Sequence, residues 1–330
     1  MTGAGTLVLN RGQIATLLSF DDYLEAVEGA FRAHGEKKTL AQGLLHLDAK
    51  GGEFHIKSGG LELDHTYFGL KCNGAFGDNR RNGLPSILGT ITLFDGSTGY
   101  PLAILDSVEI TRQRTAAAAA VAAKYLARAN SRIATICGCG SQGYVQLQSI
   151  THVLPITKAF AFDVDAIQRE RFADHTSQTL NIEVVPVTEP GPAVRQSDVC
   201  VTCTPSHQPY LRKTDVPAGM FIAAMGADSP DKQELESSLL VGNKVIVDIL
   251  EQCARVGELH HALDQHLLTE KDVYGELGEI VAGLKPGRVS PAEITIFDST
   301  GTAMQDVASA VALYRRALTN NVGQLINLLE

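Results

Sequence analysis

The stretch Gly138-Cys139-Gly140-Ser141-Gln142-Gly143 combines residue types and spacing that point to a definite chemistry. It follows the apolar run Ile133-Ala134-Thr135-Ile136-Cys137 and precedes a segment of helical character that starts near Gln142. In that setting Gly138 permits a tight turn, Gly140 lets the backbone approach a pyrophosphate, and Gly143 allows close packing of helix on strand. Backbone N–H groups at Ser141 and Gln142 would face the phosphates from the positive end of the helix dipole. The next expected strand ends in Phe162-Asp163, about 20 residues after the last glycine. A carboxylate there suits the two hydroxyls of a ribose and repels a 2′-phosphate. The pattern describes a dinucleotide site in which NAD(H) is favoured. Arg169 and Arg171 lie close enough in sequence to leave NADP(H) open.

A second set of residues carries charge where alternation expects a polar face. In Glu53-Phe54-His55-Ile56-Lys57 and in Phe68-Gly69-Leu70-Lys71-Cys72-Asn73, the polar residues occupy every other position. If the two strands share a sheet, one face carries both Lys57 and Lys71. Two ammonium groups with no acid near them in sequence can receive a carboxylate, or protonate a developing nitrogen or carbanion. Arg112 and Arg114 fall in the first turns of an alanine-rich helix. Residues two apart on a helix are about 200° apart, so only one of the two can face a given site. Asp228 follows an apolar strand and the turn Gly226-Ala227, at a carboxyl end of the sheet where open α/β folds bind ligands. A helix cap formed with Ser229-Pro230 is the plainer alternative. Asp298-Ser299-Thr300-Gly301 closes another strand, with the same ambiguity. Cys137, Cys139, Cys200 and Cys203 are read as buried thiols and no metal is expected, because residues i and i+3 of a strand face opposite ways.

The elements that must position these residues change rhythm along the chain. Residues 20–32 have helical apolar spacing, and residues 87–94 and 101–105 flank the hairpin signal Asp95-Gly96-Ser97-Thr98-Gly99. Residues 107–129 form the longest expected helix. From Arg132 onward strands are expected at 132–137, 158–163, 182–186, 198–203, 220–225, 243–249 and 293–298, with crossovers between them. That alternation implies a parallel, doubly wound sheet of Rossmann type. Residues 302–329 read as amphipathic helix.

Bulk composition narrows the partners. The chain has 330 residues, 44% hydrophobic and 20% charged, which suits about two globular domains. With 28 basic against 37 acidic residues its formal charge is -9, so nucleic acid and anionic membrane are not expected as partners. Met1-Thr2-Gly3-Ala4-Gly5 lacks a basic region followed by an apolar run, and residues 116–123 are too short to span a bilayer. A cytoplasmic location with reduced thiols is expected.

Taken together, Lys71, Gly83-Leu84-Pro85-Ser86, residues 95–99 with Pro101-Leu102, Arg114-Thr115-Ala116-Ala117 and the glycine loop recur in one order. Gly226-Ala227-Asp228 with Lys232-x-Glu234-Leu235, and Phe297-Asp298-Ser299-Thr300-Gly301, continue it. In this combination the chain resembles the ornithine cyclodeaminase/mu-crystallin family over nearly its whole length. The resemblance implies an NAD(P)-binding Rossmann domain, placed at 114–301. It also implies an α+β substrate-binding and dimerisation domain, placed at 1–113 plus 302–330, which the C-terminal helix rejoins. It makes Lys71 and Asp228 catalytic, gives Arg114 the substrate carboxylate, and sets residues 202–205 and 298–301 as walls of the nicotinamide and substrate pocket. Thr202 and Thr204 thereby join the cofactor residues, and Thr300 and Gly301 the substrate residues. Many members carry a further arginine near Gln42-Gly43-Leu44-Leu45-His46, which is absent here; Lys57 stands as its replacement in binding substrate.

The resemblance implies a homodimer acting on a small amino or imino acid. Two reactions share the carboxylate clamp. One is reduction of a 2-imino acid, or its reverse, by hydride transfer. The other is a cyclodeaminase-type lyase that turns L-ornithine into L-proline and ammonia with NAD recycled. A non-catalytic, mu-crystallin-like binding protein is the third reading. The cationic face around Lys57 and Lys71 repels a terminal ammonium, so the expectation is an imino-acid reductase or amino-acid dehydrogenase.

Overall fold

A computed structural model describes residues 5–328. The N-terminal residues 1–4 and Leu329, the last residue of the expected terminal helix, lie outside the described residues. The chain divides into two compact units, Met1–Arg114 with Thr302–Glu330, and Thr115–Gly301. Arg114, placed with the nucleotide domain by the sequence, belongs to the first unit.

The first unit holds a seven-stranded sheet, in the order Gln324–Ile326, Thr6–Leu9, Pro101–Asp106, Ile87–Asp95, Thr66–Ala75, Gly52–Glu62, Thr39–Ala49. Thr6–Leu9 runs parallel to Pro101–Asp106 and the other neighbours are antiparallel. The terminal helix is shorter than its amphipathic spacing predicts. It spans Ala303–Asn320 and ends at Asn321, whose φ of 52° is left-handed. Asparagine tolerates that conformation, which breaks the helical hydrogen-bond run. The chain then continues as the edge strand Gln324–Ile326, with no helix out to Leu328.

The register of this sheet explains why its two faces differ. Lys57 lies directly opposite Lys71, and His55 opposite both His46 and Asn73, so all share one face. Gly59 lies opposite Gly69 on that same face. A Cβ at Gly69 would come within 2.6 Å of Val307, and one at Gly59 within 3.1 Å of Ala303. The glycine pair is the shallow floor on which the helix Ala303–Asn320 rests. Leu45, Leu47, Phe54 and Leu70 point to the other face and are 37–49% exposed.

The second unit is built on an eight-stranded parallel sheet in the order Gly275–Glu276, Lys244–Val247, Thr295–Asp298, Phe221–Ala224, Val199–Thr202, Ile133–Cys137, Lys158–Phe162, Glu183–Val187. All seven strands expected after Arg132 are present, within a residue or two of their expected limits. The strand order reverses beside Ile133–Cys137, the first strand of the unit, as a doubly wound sheet requires. Its strands read as continuous apolar runs because helices cover both faces. All six cysteines are free, and burial pushes the thiols of Cys139, Cys203 and Cys253 up, so they are held protonated. Among the described residues, no helix is long and apolar enough to cross a membrane.

Candidate active site

In the first unit three basic side chains and one acid meet under the helix Ala303–Asn320. Lys71 Nζ lies 2.6 Å from Asp306 Oδ2, and Arg114 Nε donates to Asp306 Oδ1 at 2.9 Å. Arg114 Nη1 donates to Gln305 Oε1 at 2.9 Å. Lys57, Lys71, Arg114 and Asp306 are 7%, 4%, 4% and 2% exposed. Such burial of charge is tolerable only when partners are present. The helix helps hold the acid, because Asp306 lies in its first turn, where the dipole favours a carboxylate. Gln42 fixes the same helix start by accepting from Ala303 N at 3.2 Å.

The electrostatics of the group follow from that geometry. Burial lowers the Lys71 ammonium from its ordinary value to about 7, with Arg114 and Lys57 adding repulsion and Asp306 opposing them. Burial would raise Asp306, but the charges of Lys71 and Arg114 outweigh it and hold the carboxyl below its ordinary value. The cluster therefore contains a fixed anion and a lysine that can exchange a proton near neutral pH. Arg112 is separate: its guanidinium grips Glu109 at 2.7 Å on the same helix and is half-exposed.

The sequence did not single out Asp306. A signal was present, since Gln305-Asp306 is a polar pair in the mostly small and apolar stretch 303–313, where an unpaired acid would be costly. Beyond the lysines the same sheet face continues to His55 and His46. Glu53 bridges both imidazoles, at 2.9 Å from His55 Nε2 and 2.7 Å from His46 Nε2.

In the second unit the glycine loop has the shape that a dinucleotide requires. Gly138 has a φ of 105°, and its N–H donates to Phe162 O at 2.8 Å. A Cβ at Gly143 would lie 2.0 Å from Gly138 O, so only glycine lets the helix Ser141–Val153 approach the strand. Gly140 has nothing within 4 Å of an added Cβ, which leaves an open cradle at the helix start. Gly140 is also the N-cap and has no side chain with which to cap the helix, so the first N–H groups, at Ser141 and Gln142, receive no side-chain cap from it. Asp163 stands at the end of the neighbouring strand and accepts from Cys139 N at 2.8 Å and from Asp165 N at 3.0 Å. Arg169 donates to the main-chain oxygen of Asp163 at 2.8 Å, not to its carboxylate. The residues present fit a dinucleotide.

The remaining candidates of this unit line the carboxyl ends of its strands. Thr202 ends its strand fully buried. Thr204 donates through N and Oγ to Glu234 Oε1, both at 2.7 Å, while Gly226 N donates to Glu234 Oε2 at 3.0 Å. Glu258 in turn accepts from the N–H groups of Glu234 and Leu235, at 2.8 and 3.0 Å. Asp298 accepts from Leu259 N at 2.9 Å. Asp248 accepts from the N–H groups of Thr300 and Gly301, each at 2.9 Å. Those two N–H groups are thus spent on Asp248, which fixes the backbone at residues 300 and 301. Asp228 begins no helix, which removes the capping alternative. Its carboxylate lies 2.6 Å from Lys232 Nζ and is 41% exposed. Lys57, Lys71 and Arg114 thus come together in the first unit, while Asp228 and the cofactor candidates belong to the second.

A chain that combines a doubly wound nucleotide unit with an α+β unit holding a buried lysine–arginine–aspartate cluster falls in a class of dinucleotide-dependent proteins. The chain belongs to the ornithine cyclodeaminase/mu-crystallin family, whose model matches residues 5–321. It is similar to an archaeal alanine dehydrogenase dimer with bound NAD, with a TM-score of 0.92, 38% identity, and 98% of this chain and 99% of that one covered. A Δ1-pyrroline-2-carboxylate reductase of Thermococcus litoralis, in complex with NADH and L-proline, superposes with a TM-score of 0.91 at 32% identity. That match covers 97% of this chain and all (100%) of the other. The iminosuccinate reductase of Paracoccus denitrificans in complex with NAD⁺ gives 0.91 and 32%, covering 98% and 100%.

Proposed function

We propose that the protein is an NAD(H)-dependent imino-acid reductase or amino-acid dehydrogenase acting on a small 2-imino or 2-amino acid. The observation that carries this is the buried Lys71, 4% exposed and lowered to about 7, beside Arg114 and Asp306. Reduced nicotinamide supplies a hydride, which a carbon–nitrogen double bond accepts readily once its nitrogen is protonated. Lys71 delivers that proton to the imine nitrogen, and Asp306 holds the ammonium in place and steadies its charged form. Arg114 binds the substrate carboxylate. A guanidinium carries five N–H donors, so its bonds to Asp306 and Gln305 do not exhaust it. Lys57 adds positive charge to the same face. Asp228, half-exposed and paired with Lys232, supports a part in proton exchange with solvent better than direct protonation.

Gly138, Gly140, Ser141, Gln142 and Gly143 hold the pyrophosphate in this reading, and Asp163 takes the ribose hydroxyls. Thr202, Thr204, Thr300 and Gly301 form the pocket wall. The similar structures with NAD, NADH and NAD⁺ bound support the same cofactor. Leu45, Leu47, Phe54 and Leu70 on the uncovered sheet face support a homodimer, as does the dimeric archaeal relative.

The test is NADH oxidation with 2-oxo acids plus ammonia or methylamine, and with cyclic imines. Turnover that Lys71→Ala abolishes, with NADH binding retained, is the expected result. Rapid proline and ammonia formation from L-ornithine with catalytic NAD⁺, without net NADH change, would replace the reductase with a cyclodeaminase. Higher kcat/KM with NADPH than with NADH would show that Asp163 is not the ribose ligand.

A further inference from the structure

The sheet of the first unit carries a group of metal-ligating side chains that the reaction above does not use. His46 and His55 stand directly opposite each other on the antiparallel strands Thr39–Ala49 and Gly52–Glu62. Glu53 lies two residues before His55 and so shares its side of the sheet, and Asp48, two residues after His46, is directly opposite Glu53. His46-x-Asp48 before the turn and Glu53-x-His55 after it thus place all four on one face of the hairpin. The Glu53 carboxylate gives one oxygen to each ring. Its Oε2 lies 2.7 Å from His46 Nε2, and its Oε1 lies 2.9 Å from His55 Nε2. One ligand atom from each of the three residues lies within 4.8 Å of the other two.

We infer that His46, Glu53 and His55 form a site for a divalent cation of the zinc type, with water in the fourth position. Two imidazoles and one carboxylate are a ligand set that zinc takes in tetrahedral geometry. Ligand atoms roughly 2.0–2.2 Å from such an ion are about 3.3 Å from one another. Both nitrogen–oxygen separations are near that value, so small rotations of the side chains admit the ion. Glu53 and Asp48 together offset its two charges. Nitrogen ligands disfavour magnesium and calcium, which prefer oxygen. The side chains of His46 and Glu53 are 36% and 40% exposed, which leaves a path from solvent. Thr39–Ala49 is the edge strand of the sheet, and the ion ties its His46 to the next strand. An ion that binds this folded hairpin and not the open chain stabilises it by mass action.

The experiment strips the protein of metal with a chelator and titrates it with Zn²⁺ by calorimetry. The expected result is one ion per chain with a Kd of about 100 µM or tighter. His46→Ala and His55→Ala should each weaken it at least tenfold. Tm should rise with added Zn²⁺ in the wild type by a few degrees more than in either variant, and a thousandfold excess of Mg²⁺ should not compete. Co²⁺ in place of Zn²⁺ should give visible bands without a thiolate charge-transfer band, which separates this site from the cysteines. Weaker binding, one ion per two chains, a thiolate band, or affinity that both histidine variants retain overturns the inference. If either alanine variant fails to fold, as judged by circular dichroism and NADH binding, His46→Gln and His55→Gln replace them under the same criteria.

Discussion

Both units bury carboxylates, and they satisfy them in opposite ways. In the first, Asp306 meets Lys71 and Arg114 and stays ionised below the ordinary carboxyl value. In the second, Glu234, Glu258, Asp298 and Asp248 gather at the carboxyl ends of the parallel strands and are bonded chiefly by backbone N–H and hydroxyl groups. Burial and neighbouring acids there push Glu258 well up and Asp298 to about 7. A cation compensates a buried charge; a backbone dipole compensates part of it, and the group takes a proton for the rest. The first arrangement suits chemistry, because it keeps a movable proton beside a fixed charge. The second suits scaffolding, because each acid pins the loop that carries the next: Asp298 holds Leu259, Glu258 holds Glu234, and Glu234 holds Thr204 and Gly226.

The strongest way to break this contrast is to remove one acid from each unit. Asp306→Ala leaves Lys71 and Arg114 buried without their counter-charge and should cost about 3–5 kcal/mol by denaturant titration. Glu258→Gln keeps one acceptor and loses a proton-binding site, and should cost about 1 kcal/mol. Equal losses would mean that the two clusters are not different in kind.

A smaller effect should appear in the pH profile of catalysis. If Lys71 must be protonated for imine reduction, kcat/KM falls as pH rises through about 7, the value to which burial lowers the lysine. Lys71→Arg should remove that limb along with most of the activity, while a limb that persists belongs to another group. The folded lysine sheds its proton near 7 and the unfolded lysine near 10.5. The cost of burying its charge is therefore complete below pH 7 and is relieved between 7 and 10.5, so this group makes stability rise with pH across that window.

The second unit should show the opposite slope. Folded Asp298 keeps its proton up to about 7 whereas the unfolded residue loses it near 3.8, so this group's stabilisation is present below pH 3.8 and is lost as pH rises towards 7. Asp298→Asn should flatten the decline in Tm between pH 4 and 7 by a few degrees. An unchanged slope would show that another buried acid carries the titration.

The glycine loop, the seven strands after Arg132 and the Lys57–Lys71 face were legible in the sequence for local reasons. Period and turn chemistry act over a few residues, and Gly138 and Gly143 are required by a backbone angle and a close approach that any such turn would impose. The strand Thr39–Ala49 was not legible, because it exposes apolar residues, Leu45 and Leu47, on one face. The expected helix to Leu329 failed because amphipathic spacing does not register a single left-handed asparagine at position 321.

By itself, then, the chain determined which residues are polar where alternation demands a face, and that a nucleotide loop opens the parallel sheet. Only the tertiary structure decided that Lys57 stands across from Lys71, that Gly59 and Gly69 floor the C-terminal helix, and that Asp306 meets Lys71 and Arg114 there. Charge and backbone preference belong to each residue and its near neighbours. A buried ion pair belongs to two segments that meet only when packing brings the far end of the chain onto the sheet.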